Sequence, residues 1–209
     1  MVRYGLWGGY SLPVVIADFY PDNFLGNSDC PLDEFFGSPQ EATRVDAVEL
    51  DTCPDSLVKL TEHTAPLLKR YMRAATDGLA LAQVLHVLLP VLWLLNDEGE
   101  VFFALEEVCD VENQDRKFPL ARNWKVPAGT HKLGHPSLIK GRRKSARIAG
   151  EMLFDPDPSN GKDGWVITNG SGRFGFGRHR VESHLLNVAE LLASYEINVD
   201  ASYIPPLPS

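Results

Sequence analysis

The residues of this chain best suited to chemistry lie in its second half. Gly170-Ser171-Gly172-Arg173-Phe174-Gly175 follows an apolar run, Trp165–Asn169, that reads as a strand. A G-x-G-x-x-G turn at a helix N-terminus holds a pyrophosphate on backbone amides. Here the next helical pattern starts several residues late. Asp200 also lies farther from Gly175 than the roughly 20 residues that place a ribose-binding acid. A dinucleotide fold is therefore not expected. A simpler phosphate loop remains, with Ser171, Arg173, Arg178, His179 and Arg180 on glycine-rich backbone, because a guanidinium fork donates two hydrogen bonds to one phosphate. A plain strand-to-helix connection accounts for the same residues, its glycines serving turn geometry alone.

His131 and His135 have the i, i+4 spacing of a helical zinc pair, but Gly134 and Pro136 break a helix there and no cysteine lies nearby, so no metal site is read. His135 is instead a candidate proton shuttle, with Ser137 beside it as a ligand contact. In Ser145–Met152, strand alternation puts Arg147 and Glu151 on one face with Ala149 between them, and Ile148, Met152 and Phe154 on the other. An arginine and a glutamate flanking a small residue make one wall of a pocket. An exposed ion pair with little energetic weight is the bland equivalent. Lys140-Gly141-Arg142-Arg143-Lys144 reads mostly as a solvated hairpin tip, and without interleaved aromatics it is no nucleic-acid platform.

Three of these segments together carry a resemblance. Gly134-His135-Pro136-Ser137-Leu138, Ala149-Gly150-Glu151 and Asn169-Gly170-Ser171-Gly172-Arg173-Phe174 resemble motifs in the C-terminal modules of bacterial polymorphic toxins and secreted effectors. The likeness covers residues 130–200. The chain departs from the pattern at Arg173 and Phe174, where His and Tyr are usual. The resemblance implies a toxin-like enzyme, a transferase or hydrolase using a nucleotide or NAD. In that role Arg147 and Arg173 hold the anion with Ser137 and Ser171 as further contacts, Glu151 stabilises a developing cation or acts as base, and His135 orients or shuttles protons. A different class competes: a non-catalytic immunity or accessory protein that binds a partner protein through acidic surface. In that case the arginines and Glu151 are scattered rather than convergent.

The elements that must position these residues follow from pattern. The 209 residues suit one domain with a sizeable core. Residues 1–112 carry 19 acidic and 6 basic side chains, whereas 113–209 carry 9 and 14. That asymmetry marks either an anion-attracting C-terminal face or two halves that attract each other within one domain, the alternative being a subdivision after Glu112. The acidic total argues against a nucleic-acid coat protein. The expected class is α+β, a mixed or antiparallel sheet packed by helices, with a helical segment near 55–89. Val91–Leu95 and Val101–Leu105 flank an acidic turn with Gly99 and read as a hairpin; Ala146–Phe154 and Trp165–Asn169 read as strands and Arg180–Ser194 as a helix. Pro13–Asp18, Val45–Leu50 and Ile197–Val199 are expected to be short strands. Tyr20–Gln40 is expected to be a loop, and residues 155–164 a turn. A helix capped by Asp55 or Ser56 is expected through His63, restarting at Pro66 as a first-turn proline with Leu67, Leu68, Tyr71, Met72 and Ala75 at helical spacing until Asp77-Gly78 breaks it; then a buried apolar helix over Leu79–Leu88, and a frayed tail from Tyr203. Gly78–Leu95, free of formal charge but interrupted by Pro90, reads as core rather than a membrane span. Three unpaired cysteines and no signal peptide point to a reducing, cytoplasmic setting.

Overall fold

The computed structural model describes residues 31–77, 80–156, 164–174 and 180–206. The expected strand at Pro13–Asp18, the first part of the Tyr20–Gln40 loop, most of the 155–164 turn, Arg178 and His179, and the last three residues lie outside that set. The class is α+β, as expected. Its scaffold is a mixed sheet in the order β10-β9-β8-β3-β4-β2, with β1 (Gln40–Glu41) added to the start of β8.

The hairpin of β3 (Val91–Asn96) and β4 (Val101–Leu105) forms as its pattern predicts. The Asn96 side chain accepts the amides of Glu98 and Glu100, and Gly99 takes a φ of 80°. β3 is central, between β4 and β8 (Ser145–Phe154), and so is apolar on both faces. Val91, Trp93 and Leu95 join Ile148 and Met152 of β8 and Ile167 of β9 (Trp165–Thr168) under three helices: α1 (Pro31–Phe36), α3 (Ala65–Thr76) and α5 (Glu182–Ser194). The helix periodicity supplies Leu32 and Phe36, then Leu68, Met72 and Ala75, then Leu185, Val188 and Leu192 to that core. On the other face Leu92, Leu94, Ala104 and Ala149 meet Leu138 and Phe174. β10 (Asp200–Ser202) pairs parallel to β9; the other pairings are antiparallel. A second sheet, β6 (Lys117–Pro119), β5 (Glu107–Asp110) and β7 (Thr130–Leu133), stands beside the first.

Several local expectations are corrected. Val45–Leu50 is not a strand. Ala47–Asp51 is a short helix, α2, because Glu49 turns back to accept the Asp46 amide at 2.9 Å. Asp55 and Ser56 cap no helix. Their amides bind the buried Glu107 carboxylate, and the chain continues into β2 (Val58–Lys59). The helix expected to start at Pro66 does form, as Ala65–Thr76 with Pro66 in its first turn and Asp77 at its end. α4 (Ala80–Leu88) is not enclosed, since Val84 and Leu85 are half-exposed. α1 interrupts the expected N-terminal loop. The last strand lies three residues later than read, with Ile197 buried in the core. The tail is docked at Tyr203 and Ile204: Asn169 accepts the Ile204 amide and donates to the Ile204 carbonyl, while Tyr203 Oη donates to the Arg180 carbonyl.

Candidate functional site

The three motifs that carry the toxin-module resemblance touch one another on the face of the sheet away from α1, α3 and α5. Gly134–Leu138 closes a 3-10 turn, His135–Leu138, after β7. His135 is buried, and its Nε2 lies 2.8 Å from the Gly150 carbonyl; that oxygen can only accept, so Nε2 carries the proton. Burial depresses the His135 pKa to about 4, the hydrogen bond to Gly150 opposing and the charges of Lys132 and Arg173 assisting. At neutral pH it is therefore a neutral donor locked to backbone. Gly150 is fixed by close approach: a Cβ there would stand 1.8 Å from the Thr168 carbonyl oxygen, so only glycine lets the end of β9 lie against β8. Ser137 donates to the Gly134 carbonyl at 2.6 Å, and Ser171 accepts the Phe174 amide. Each serine closes its own turn.

Arg173 belongs to this group. Its NH2 donates to Asp46 at 2.8 Å and lies 3.4 Å from Glu49, and NH1 donates to the Arg44 carbonyl. That guanidinium holds the Asp46 carboxyl below its usual range. Glu49 is fully buried. One of its oxygens takes the Asp46 amide and the other takes the Gly134 amide at 2.9 Å. Neither Asp46 nor Glu49 was expected to matter. The signal was present, since Asp46-Ala-Val-Glu49 has the spacing of a capping box.

Arg147 does not join them. The β3–β8 register runs Leu95↔Ile148 and then Asn96↔Ala146, so Arg147 is the extra residue of a bulge and leaves the Ala149–Glu151 row. Its side chain is buried on the α1 side, where it pairs with Asp33 and donates to the carbonyls of Gly37 and Asp97. The guanidinium groups of Arg147 and Arg173 thus lie toward opposite faces of the sheet. Glu151 stays on the Arg173 side, half-buried, its carboxyl pushed up by burial and then by the charge of Glu106. Glu106 itself pairs with Lys132. In the basic run, Lys140, Arg142 and Arg143 are exposed as read, but Lys144 is buried and donates to the Ile139 carbonyl.

Beside Arg173 the surface opens into a depression of about 260 Å³, lined by Asp46, Ala47, Val48, Asp51, Gln114 and His131. The two segments that wall it, residues 44–55 and 106–117, carry nine carboxylates against three basic side chains. Among the described residues, Asp51, Asp110, Glu112 and Asp115 enter no ion pair. His131 is exposed on β7 and forms part of this wall, while His135 points into the core. No helix among the described residues is long and apolar enough to cross a membrane. Comparison with protein-family models, with curated proteins and with solved structures finds no match to this chain.

Proposed function

We propose that this protein is a non-catalytic binding protein, of the immunity or accessory kind, that receives a lysine or arginine side chain of a partner protein in the acidic depression between α2 and the small sheet. The supporting observation is that depression: open, with Asp46 and Asp51 in its wall, set between two segments rich in carboxylates, and with Asp51 in no ion pair among the described residues. Exposed charge of this kind contributes mainly to encounter rate and partner choice. A single rim pair adds only about 0–1 kcal/mol, so the contact must extend over the surrounding surface.

The competing reading is a toxin- or effector-like enzyme for a nucleotide or NAD-type ligand. It needs an anion held between Arg147 and Arg173 with His135 free to exchange a proton. The separation of the two arginines and the engagement of His135, Ser137, Arg147, Ser171 and Arg173 within the fold favour the binding reading instead.

The test is fluorescence anisotropy with a labelled lysine- and arginine-rich peptide, run beside thermal shift with NAD, ATP and nucleoside monophosphates. We expect saturable peptide binding that weakens with salt, falls several-fold in Asp51→Lys and survives in Arg147→Ala. No nucleotide should raise the melting temperature. Stabilisation by a nucleotide that disappears in Arg173→Ala, with no peptide binding, would overturn the proposal in favour of the enzyme.

A further inference from the structure

A second surface carries the opposite character. Residues 78–96 contain no Asp, Glu, Lys or Arg, and residues 116–150 contain ten basic side chains and no acidic one. The fold joins these two stretches. The Arg122 amide donates to the Leu88 carbonyl at 2.6 Å, which sets the segment after β6 against the C-terminal end of α4. α4 itself rests on the molecule through one edge, where the buried His86 ring packs on Tyr71 of α3 at 4.3 Å. Val84 and Leu85 face outward, 56% and 50% exposed, with the exposed Val87 beside them. Trp124 is 68% exposed, and the exposed Val126 follows it. Arg122 and Lys125 flank that tryptophan on the surface, and Arg70 and Arg73 are exposed on the neighbouring α3.

We propose that α4 and the Arg122–Val126 segment form a contact surface for an anionic lipid bilayer. The chemistry matches on both counts. Apolar side chains and an indole, on two segments that themselves carry no carboxylate, enter the headgroup boundary. Guanidinium and ammonium groups around them meet lipid phosphates and carboxylates. A protruding helix and tryptophan need no shaped receptor in a fluid bilayer, whereas a folded partner would have to offer a matching hollow. The α4 arc and Trp124 are peripheral, so the contact requires no change in the core. This surface is independent of the acidic depression, which faces a basic partner and repels the same bilayer.

The experiment is flotation of the full chain with vesicles of phosphatidylcholine alone and of phosphatidylcholine with phosphatidylserine, with tryptophan emission read in parallel. Binding is expected only to the phosphatidylserine vesicles, with a blue shift that Trp124→Phe removes. The double variant Arg122→Glu/Lys125→Glu should weaken binding by about thirtyfold or more, because each basic group near an anionic surface contributes about fivefold. Val84→Ser/Leu85→Ser should weaken it at unchanged salt dependence. Circular dichroism of these surface variants should match the parent. No flotation with phosphatidylserine vesicles, or equal flotation of the charge-reversed variant, overturns the proposal. So does a concentration-dependent dimer that Leu85→Ser dissociates, which would assign the surface to a second copy of the chain.

Discussion

His135 shows how far a residue suited to chemistry can be committed to structure. Its Nε2 proton is given to Gly150, and its pKa falls from the ordinary 6.5 to about 4 through burial. The consequence for stability has a definite sign. Below pH 6.5 the unfolded chain takes up a proton that the folded chain refuses until about pH 4. The unfolded state therefore binds more protons, and stability falls as the solution is acidified through that window. The loss assignable to this one group is about 2 kcal/mol between about pH 7 and about pH 5. His135→Gln keeps an N–H that can reach Gly150 but does not titrate. Urea unfolding of both proteins at the two pH values should show the variant losing less stability by that amount. An equal loss in the two proteins would mean that the ring is open to solvent and free to shuttle protons after all. Glu151, whose carboxyl is raised by burial, contributes with the opposite sign, so the comparison between variants carries the information.

At the scale of elements, the bulge in β8 decides where the chemistry goes. Ideal alternation would place Arg147 with Ala149 and Glu151. One inserted residue turns it to the other face, where it fastens α1 and the β3–β4 turn to the sheet. Arg147→Ala leaves the carbonyls of Gly37 and Asp97 without that donor in a buried place. It should cost about 3 kcal/mol in chemical denaturation. Asp33→Ala, whose carboxylate is partly solvated, should cost about 1 kcal/mol. A double-mutant cycle should give a coupling well below the Arg147 loss, since the backbone acceptors persist when Asp33 is gone. Equal losses for the two single variants would refute this division of roles. The same bulge explains what was legible beforehand. Strong periodicity revealed the β3–β4 hairpin, β8, β9 and α5, because each is set by an apolar pattern of its own length. The position of Arg147 was hidden because a bulge depends on how a neighbouring strand pairs. The helix at Ala47–Asp51 was legible in the Asp46–Glu49 capping-box spacing, but the tie from Glu49 to Gly134, eighty-five residues away, was not, because it depends on the fold. For the depression, the excess of acid was readable, but its walls come from segments that only the fold brings together.

At the scale of the molecule, part of the charge asymmetry is consumed within it. Basic residues after position 112 pair with carboxylates before it: Lys117 with Asp55, Lys132 with Glu106, Arg143 with Glu41, Arg147 with Asp33, and Arg173 with Asp46 and Glu49. The sheet is interleaved in the same way, since β8 and β9 come from the second half and β3 and β4 from the first, with β8 hydrogen-bonded directly to β3. A chain divided after Glu112, in the exposed turn between β5 and β6, would leave each part with one side of β3–β8 unpaired and its apolar faces bare. Residues 1–112 and 113–209 made separately should therefore be unfolded by circular dichroism. Mixed at low salt, they should recover the sheet signal, with opposite net charges speeding encounter. The rate of that recovery should fall as salt screens the charges over a Debye length of about 10 Å at 0.1 M. Recovered stability should change far less, because the buried β3–β8 contact is apolar. A second half that folds alone, with protected amides in β8, would show that the two charge blocks are separate domains and that their pairing is an interface rather than a core.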